Sequence, residues 1–145
     1  MNAYKAMKGR HQKEVNGFPM FFAFNNKQFE EGMAKFGLKA DDTEKIYKLG
    51  NSGGFYLRTD AQRLFEMFDR HEREQQEAIA SDTTGDGYIY QMFLHELNDH
   101  EYGYTRDPES TLHALCITPE EIAASPQLKH GYIKAVTDIH RRREA

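Results

Sequence analysis

One stretch of this chain concentrates the residue types that hold metals and move protons: His95-Glu96-Leu97-Asn98-Asp99-His100-Glu101. A helical zinc hydrolase needs two His four residues apart, so that both rings share a face, with Glu beside the first as the base. Here the two His are five apart, which turns them about 140° from one another on a regular helix. Glu96 and His100 are the pair a metal would take from this segment, and its other ligands would come from elsewhere, such as His71 or His113. The competing reading is a helix end, in which His95–Asp99 and Glu96–His100 bond within the helix.

Asp82-Thr83-Thr84-Gly85-Asp86-Gly87-Tyr88-Ile89 has the spacing of the front half of a calcium-binding loop. Asp82, Thr84 and Asp86 stand at the oxygen-ligand positions and Gly87 at the sharp turn. The twelfth position, which should be a bidentate Glu, is Phe93, so the pattern fails. The expectation is a helix–turn–helix connection in which Asp86 caps the following helix. Cys116, the only cysteine, excludes an internal disulfide and a cysteine-based zinc site within one chain. It closes an apolar run, Leu112-His113-Ala114-Leu115-Cys116-Ile117, and is expected in the core with little thiolate character. Gly50-Asn51-Ser52-Gly53-Gly54 lacks the pattern of a phosphate loop and is expected to be a hairpin turn.

Charge is unevenly distributed. The formal net charge is −4, but residues 1–13 carry Lys5, Lys8, Arg10 and Lys13 without an acid, and Arg141, Arg142 and Arg143 sit near the other end. Residues 14–140 hold 12 basic and 22 acidic side chains. From residue 74 to 105 there is no Lys or Arg, against Glu74, Glu77, Asp82, Asp86, Glu96, Asp99 and Glu101. Tyr88, Tyr90, Tyr102 and Tyr104 lie among these acids. Such a surface repels nucleic acid and attracts a basic protein, with Tyr adding contact area at low entropic cost. The alternatives are a solubilising surface and tyrosines that complete the core. The Arg run is expected to complement the dipole of a last helix and fray into water.

The elements that must position these residues follow from pattern. At 145 residues, 39% hydrophobic and 12% aromatic, the chain has the size of about one domain and is too aromatic for disorder. Residues 1–17 show no convincing period and are expected to be a mobile arm or short helix ahead of one domain, 18–145. Residues 18–24 read as a buried strand, and Asn25 or Asn26 then caps a helix through Phe36 that ends at Gly37. Residues 45–49 and 55–58 form a hairpin. Thr59 with Gln62 is a capping box for a long helix to about Ala80, with i,i+4 pairs such as Glu66–Arg70, Asp69–Arg73 and Arg70–Glu74. Residues 87–100 make a helix with Ile89, Met92, Phe93 and Leu97 inward. Three further helices start at Asp107-Pro108, Thr118-Pro119-Glu120-Glu121 and Ser125-Pro126. The fold class is α+β: a small antiparallel sheet of about three short strands near the N-terminus, packed by a helical majority.

Several segments taken together, among them residues 21–32, 53–55, 65–71, 90–102 and 111–115, resemble a family of small, uncharacterised proteins carried by phages and conjugative elements of gut bacteria. That resemblance implies a mobile-element accessory protein in the cytoplasm of a bacterial host, and the context includes defence antagonists such as anti-CRISPR proteins. With the charge pattern, it makes the leading expectation a non-catalytic inhibitor that binds a basic host-defence protein, first of all a CRISPR nuclease. Glu72, Glu74, Glu77, Asp82, Asp86, Glu96, Asp99 and Glu101 would form its contact surface, with Tyr88, Tyr90 and Tyr102 as anchors. No cofactor, membrane contact or direct nucleic-acid binding is expected, and a homodimer is compatible. The alternatives are a metal-dependent hydrolase of nucleotides or nucleic acid using Glu96 and His100, and a structural or assembly factor of the element.

Overall fold

The computed structural model describes residues 2–144. In chain order the described elements are α1 (Ala3–Asn16), β1 (Phe21–Phe22), α2 (Asn26–Lys35), β2 (Ile46–Leu49), β3 (Gly54–Leu57), α3 (Ala61–Ser81), α4 (Tyr88–Asp99), α5 (Tyr102–Thr105), α6 (Glu109–Leu115), α7 (Pro119–Ala124) and α8 (Pro126–Glu144). The α+β class stands: a small antiparallel sheet with a helical majority. The chain forms two compact units, and the segment read as a mobile arm or short helix is helix α1. One unit is Lys13–Glu72; the other takes the chain up to Gln12 and from Arg73 onward.

In the Lys13–Glu72 unit the strand order is β1-β3-β2, antiparallel throughout. Alternation sends Phe21, Ile46, Phe55 and Leu57 to one face, where they pack with Met33, Phe29 and Phe36 of the α2 region. The Phe21 and Phe55 rings stack at 5.2 Å. Tyr56 and Leu49 take the other face, with Leu64, Met67, Val15 and Phe18. Asn25 caps α2 by accepting the Gln28 N–H at 2.8 Å. The strand expected over 18–24 shrinks to Phe21–Phe22, and Phe22 and Phe24 are exposed. Thr59 forms no capping box. It lies in a 3-10 turn, Arg58–Asp60, and Gln62 donates forward to Glu66.

The other unit is built on α4. Ile89, Met92, Phe93 and Leu97 are fully buried, as their spacing required, against Leu128, Ala135 and Ile139 of α8. The expected arm is here the first part of helix α1, with Tyr4 buried in this core. The N–H groups of Ala3 and Tyr4, orphaned at the helix start, donate to the Gln91 side chain at 2.8 and 3.4 Å. α4 and α8 approach closely where two glycines meet. A Cβ on Gly131 would lie 2.5 Å from Ile89 Cγ2 and 2.7 Å from the Gly85 carbonyl, and Gly85 has φ +83°.

Gly131 sits inside a helix, where alanine is intrinsically better by about 1 kcal/mol. The crossing reverses that preference: Gly131→Ala should lose about 1–3 kcal/mol in urea unfolding, because a side chain is forced into a filled interface. A neutral or stabilising Gly131→Ala would show that the contact is not close.

Candidate functional site

Glu96 lies on α4 one residue before the buried Leu97, and only 6% of it is exposed. A buried carboxylate must be compensated. Tyr4 donates its hydroxyl to Oε2 at 2.6 Å, and Lys8 places Nζ 2.6 Å from the same oxygen. Tyr4 and Lys8 are four apart on α1, hence on one face. Burial pushes the Glu96 carboxyl up, but the bonds from Lys8 and Tyr4 and the Lys8 charge outweigh it, so it titrates below the ordinary glutamate range. Burial, and then the bond to Glu96, raise the Tyr4 phenol far above its usual value, so it remains a donor.

His95, Glu96 and Asp99 bring ligand atoms within 4.8 Å of one another, a nitrogen–oxygen–oxygen set suited to a divalent transition metal. The expected pair Glu96–His100 is 3.8 Å apart, whereas His95–Asp99 is 3.1 Å. The Lys8 ammonium already lies 2.6 Å from Glu96 and 3.8 Å from Asp99. A metal would have to displace that cation. With it in place, the cluster acts as a charge-satisfied tie between α1 and α4.

The Asp82–Ile89 loop resolves similarly. Asp82 accepts backbone N–H groups from Gly85, Gly87 and Ile89 at 3.1, 3.1 and 2.9 Å, and so caps α4. The expectation that Asp86 caps is wrong. Asp86 turns to α8, where His130 and Lys134 lie 2.7 and 3.2 Å from Oδ1. The bond to His130, followed by that to Lys134, holds its carboxyl below the usual aspartate range.

The expected contact surface is therefore largely consumed from within. Glu74 bonds His11 at 2.9 Å, and Asp99 bonds His95. Tyr88, buried and pushed up to about 12 by that burial, donates to Gln75. Tyr90 is half-buried, donates to Asp138 at 2.6 Å, and has Lys134 over its ring. Tyr102 is buried against His140 at 3.0 Å. Tyr88, Tyr102 and Glu96 thus face their own core instead of a partner. Glu72, in the other unit, and Glu77 and Glu101 are exposed, and their side chains have no cation partner among the described residues. Arg70 meets Glu14, which bonds His71 as well. Arg143 lies over the exposed Tyr104, 4.0 Å from the ring centre.

Cys116 is exposed, against expectation. It ends α6 with φ 56°, and its N–H returns to His113 and Leu112 while Ile117 N–H reaches Leu112 at 3.1 Å. That reversal points Ile117 inward and leaves Cys116 outside. Beside it runs a groove of ≈ 510 Å³ lined by Asp107, Pro108, Glu109, Leu112, Cys116 and Pro119 among others. Sequence reasoning missed it; the signal was the acid–proline start of α6 and the Thr118-Pro119 start of α7.

A family model with the description "Family of unknown function (DUF7659)" matches residues 3–138. No curated protein and no solved structure matches the chain.

Removing Lys8 should leave Glu96 buried without its cation. Lys8→Met is expected to lose roughly 1.5–3 kcal/mol, the scale of a hydrogen bond to a charged group. Lys8→Met with Glu96→Gln should lose less than the two single changes summed. The pH sign follows from the lowered Glu96 value. Its contribution is complete above the ordinary glutamate pKa of about 4.3 and is lost as pH falls through the lower folded value. Stability of Glu96→Gln should therefore fall less steeply than the parent's below about pH 4. Parallel curves would show that the pair contributes nothing.

Proposed function

The chain belongs to that family of unknown function, and from this premise we propose that it is a non-catalytic binding protein that docks on a basic surface of another protein, with an RNA-guided nuclease of a bacterial defence system as the first target to test. One observation carries the reading. After its own cations and hydrogen bonds are assigned, the Arg73-onward unit retains exposed carboxylates, Glu77 and Glu101, without a cation partner among the described residues. An exposed, unpaired carboxylate speeds encounter with a cationic surface and disfavours approach to nucleic acid. RNA-guided nucleases hold nucleic acid in positively charged channels, which an acidic protein surface can occupy in competition with DNA. Glu72 adds an exposed acid in the other unit.

A second reading, a metal-dependent hydrolase, draws on the proximity of His95, Glu96 and Asp99. The Lys8 ammonium among them weighs against it. Elemental analysis separates the two: a stoichiometric transition metal, with hydrolysis of a nucleotide lost on chelation, favours the second.

The first reading is tested by RNA-guided DNA cleavage with the purified protein added. Inhibition should be strong at about 0.05 M salt and weaken at about 0.5 M, where the screening length shrinks below the reach of surface charges. Glu77→Lys with Glu101→Lys should lose most of it without altering the melting temperature. Inhibition indifferent to both salt and charge reversal would remove the electrostatic reading.

A further inference from the structure

The groove beside α6 has a composition that specifies an occupant. Its floor is aliphatic: Leu112 and Ile117, both mainly buried, with Pro108 and Pro119 at the flanks. Its rim is acidic. Asp107 and Glu109 line both this groove and an adjoining hollow that reaches His100. Asp107 uses Oδ1 to accept the Glu109 N–H at 3.0 Å, which fixes both residues at the start of α6. Neither carboxylate has a cation partner among the described residues, and neighbouring Arg106 forms no ion pair with them. Glu120, next to Pro119, is exposed and has no cation partner among the described residues. From residue 107 to 128 the chain has no Lys or Arg at all.

We infer that this groove is the seat of a short segment of a partner protein that sets a lysine or arginine beside an aliphatic side chain. The aliphatic group covers Leu112 and Pro108 while the cation meets Asp107 and Glu109. An apolar anchor ringed by charge is the arrangement that concentrates binding energy in a protein interface. The excess of acid repels nucleic acid. The inference rests on the reading of the chain as a binder of basic protein surfaces, and adds where the partner is gripped.

The test titrates the isotope-labelled full chain with an acetylated, amidated tetrapeptide of alternating leucine and arginine, followed by amide NMR. Saturable shifts are expected at Glu109, His113, Cys116 and Ile117. The affinity should fall about tenfold or more in Glu109→Lys, which removes the anionic rim, and in Cys116→Tyr, which fills the groove from an exposed position. Cys116→Tyr should melt like the parent, and Glu109→Lys, which places a cation in the first turn of α6, should melt only a few degrees lower, so that the chain stays folded in the titration. The inference is overturned if no saturable shift appears up to about 5 mM peptide. It is equally overturned if a leucine–glutamate tetrapeptide binds as well, or if neither variant matters. Shifts at these amides that vanish on dilution of the chain alone would also overturn it, since they place a second copy in the groove. If the peptide fails while Glu77 and Glu101 still govern nuclease inhibition, only the docking site falls. Peptide binding without any salt-dependent inhibition removes the nuclease reading instead.

Discussion

Burying one carboxylate organises much of the Arg73-onward unit. Glu96 occupies a position on α4 where the helix is otherwise committed to the core, beside Leu97 and two turns beyond Ile89. A charged group there costs several kcal/mol unless it is matched. The match comes from Tyr4 and Lys8, four residues apart, so the segment carrying them must be helical and must lie along α4. α1 is therefore structured by what it neutralises as much as by what it buries. Tyr4 supplies both, its ring edge-on to Tyr88 at 5.5 Å and its hydroxyl on the carboxylate.

The same logic rewrites the charge pattern. A basic N-terminal stretch and an acidic middle look, along the sequence, like surfaces meant for other molecules. In space they largely answer each other: Lys8 with Glu96 and Asp99, His11 with Glu74, His130 and Lys134 with Asp86. Asp82 meets no side-chain cation among the described residues. It is spent on backbone N–H groups that a helix start leaves orphaned. A linear run of acids is thus weak evidence for a binding surface until its internal partners are known.

What was legible in the sequence was what apolar spacing and cap chemistry control. The inward face of α4, the Asn25 cap of α2, the Thr118–Glu121 capping box and the Gly-rich hairpin turn depend on local rules, and they formed accordingly. The N-terminal segment reads as either a mobile arm or a short helix because the stripe of α1 is written as Tyr4, Met7, Lys8, His11 and Val15. The spacing is helical, but three of its members, Tyr4, Lys8 and His11, do their work through charge and hydrogen bonds. α5 is four residues long between Glu101 and Arg106, both left-handed and neither glycine, and no local pattern announces that. Cys116 was misplaced for the same reason. An apolar run reads as buried throughout, yet a left-handed residue at a helix end turns one member outward.

The contrast between residues 74–99 and 107–121 then says where an external partner has most to gain. Both stretches are acidic and contain no Lys or Arg. In the first, α1, α8 and backbone N–H groups reach every carboxylate but Glu77, so over most of it a partner would have to break existing bonds before forming its own. In the second, Asp107 and Glu109 stand at a helix start on the rim of an aliphatic groove, Glu120 starts the next helix, and no side-chain cation of the described chain reaches them. Acids near a helix N-terminus are tolerated without a counter-ion because the backbone dipole favours them. They can therefore remain unpaired in the free protein at little cost. A cationic partner meets carboxylates that are held in place yet not spent, which is the condition under which a charge pair adds to binding without first subtracting from the fold.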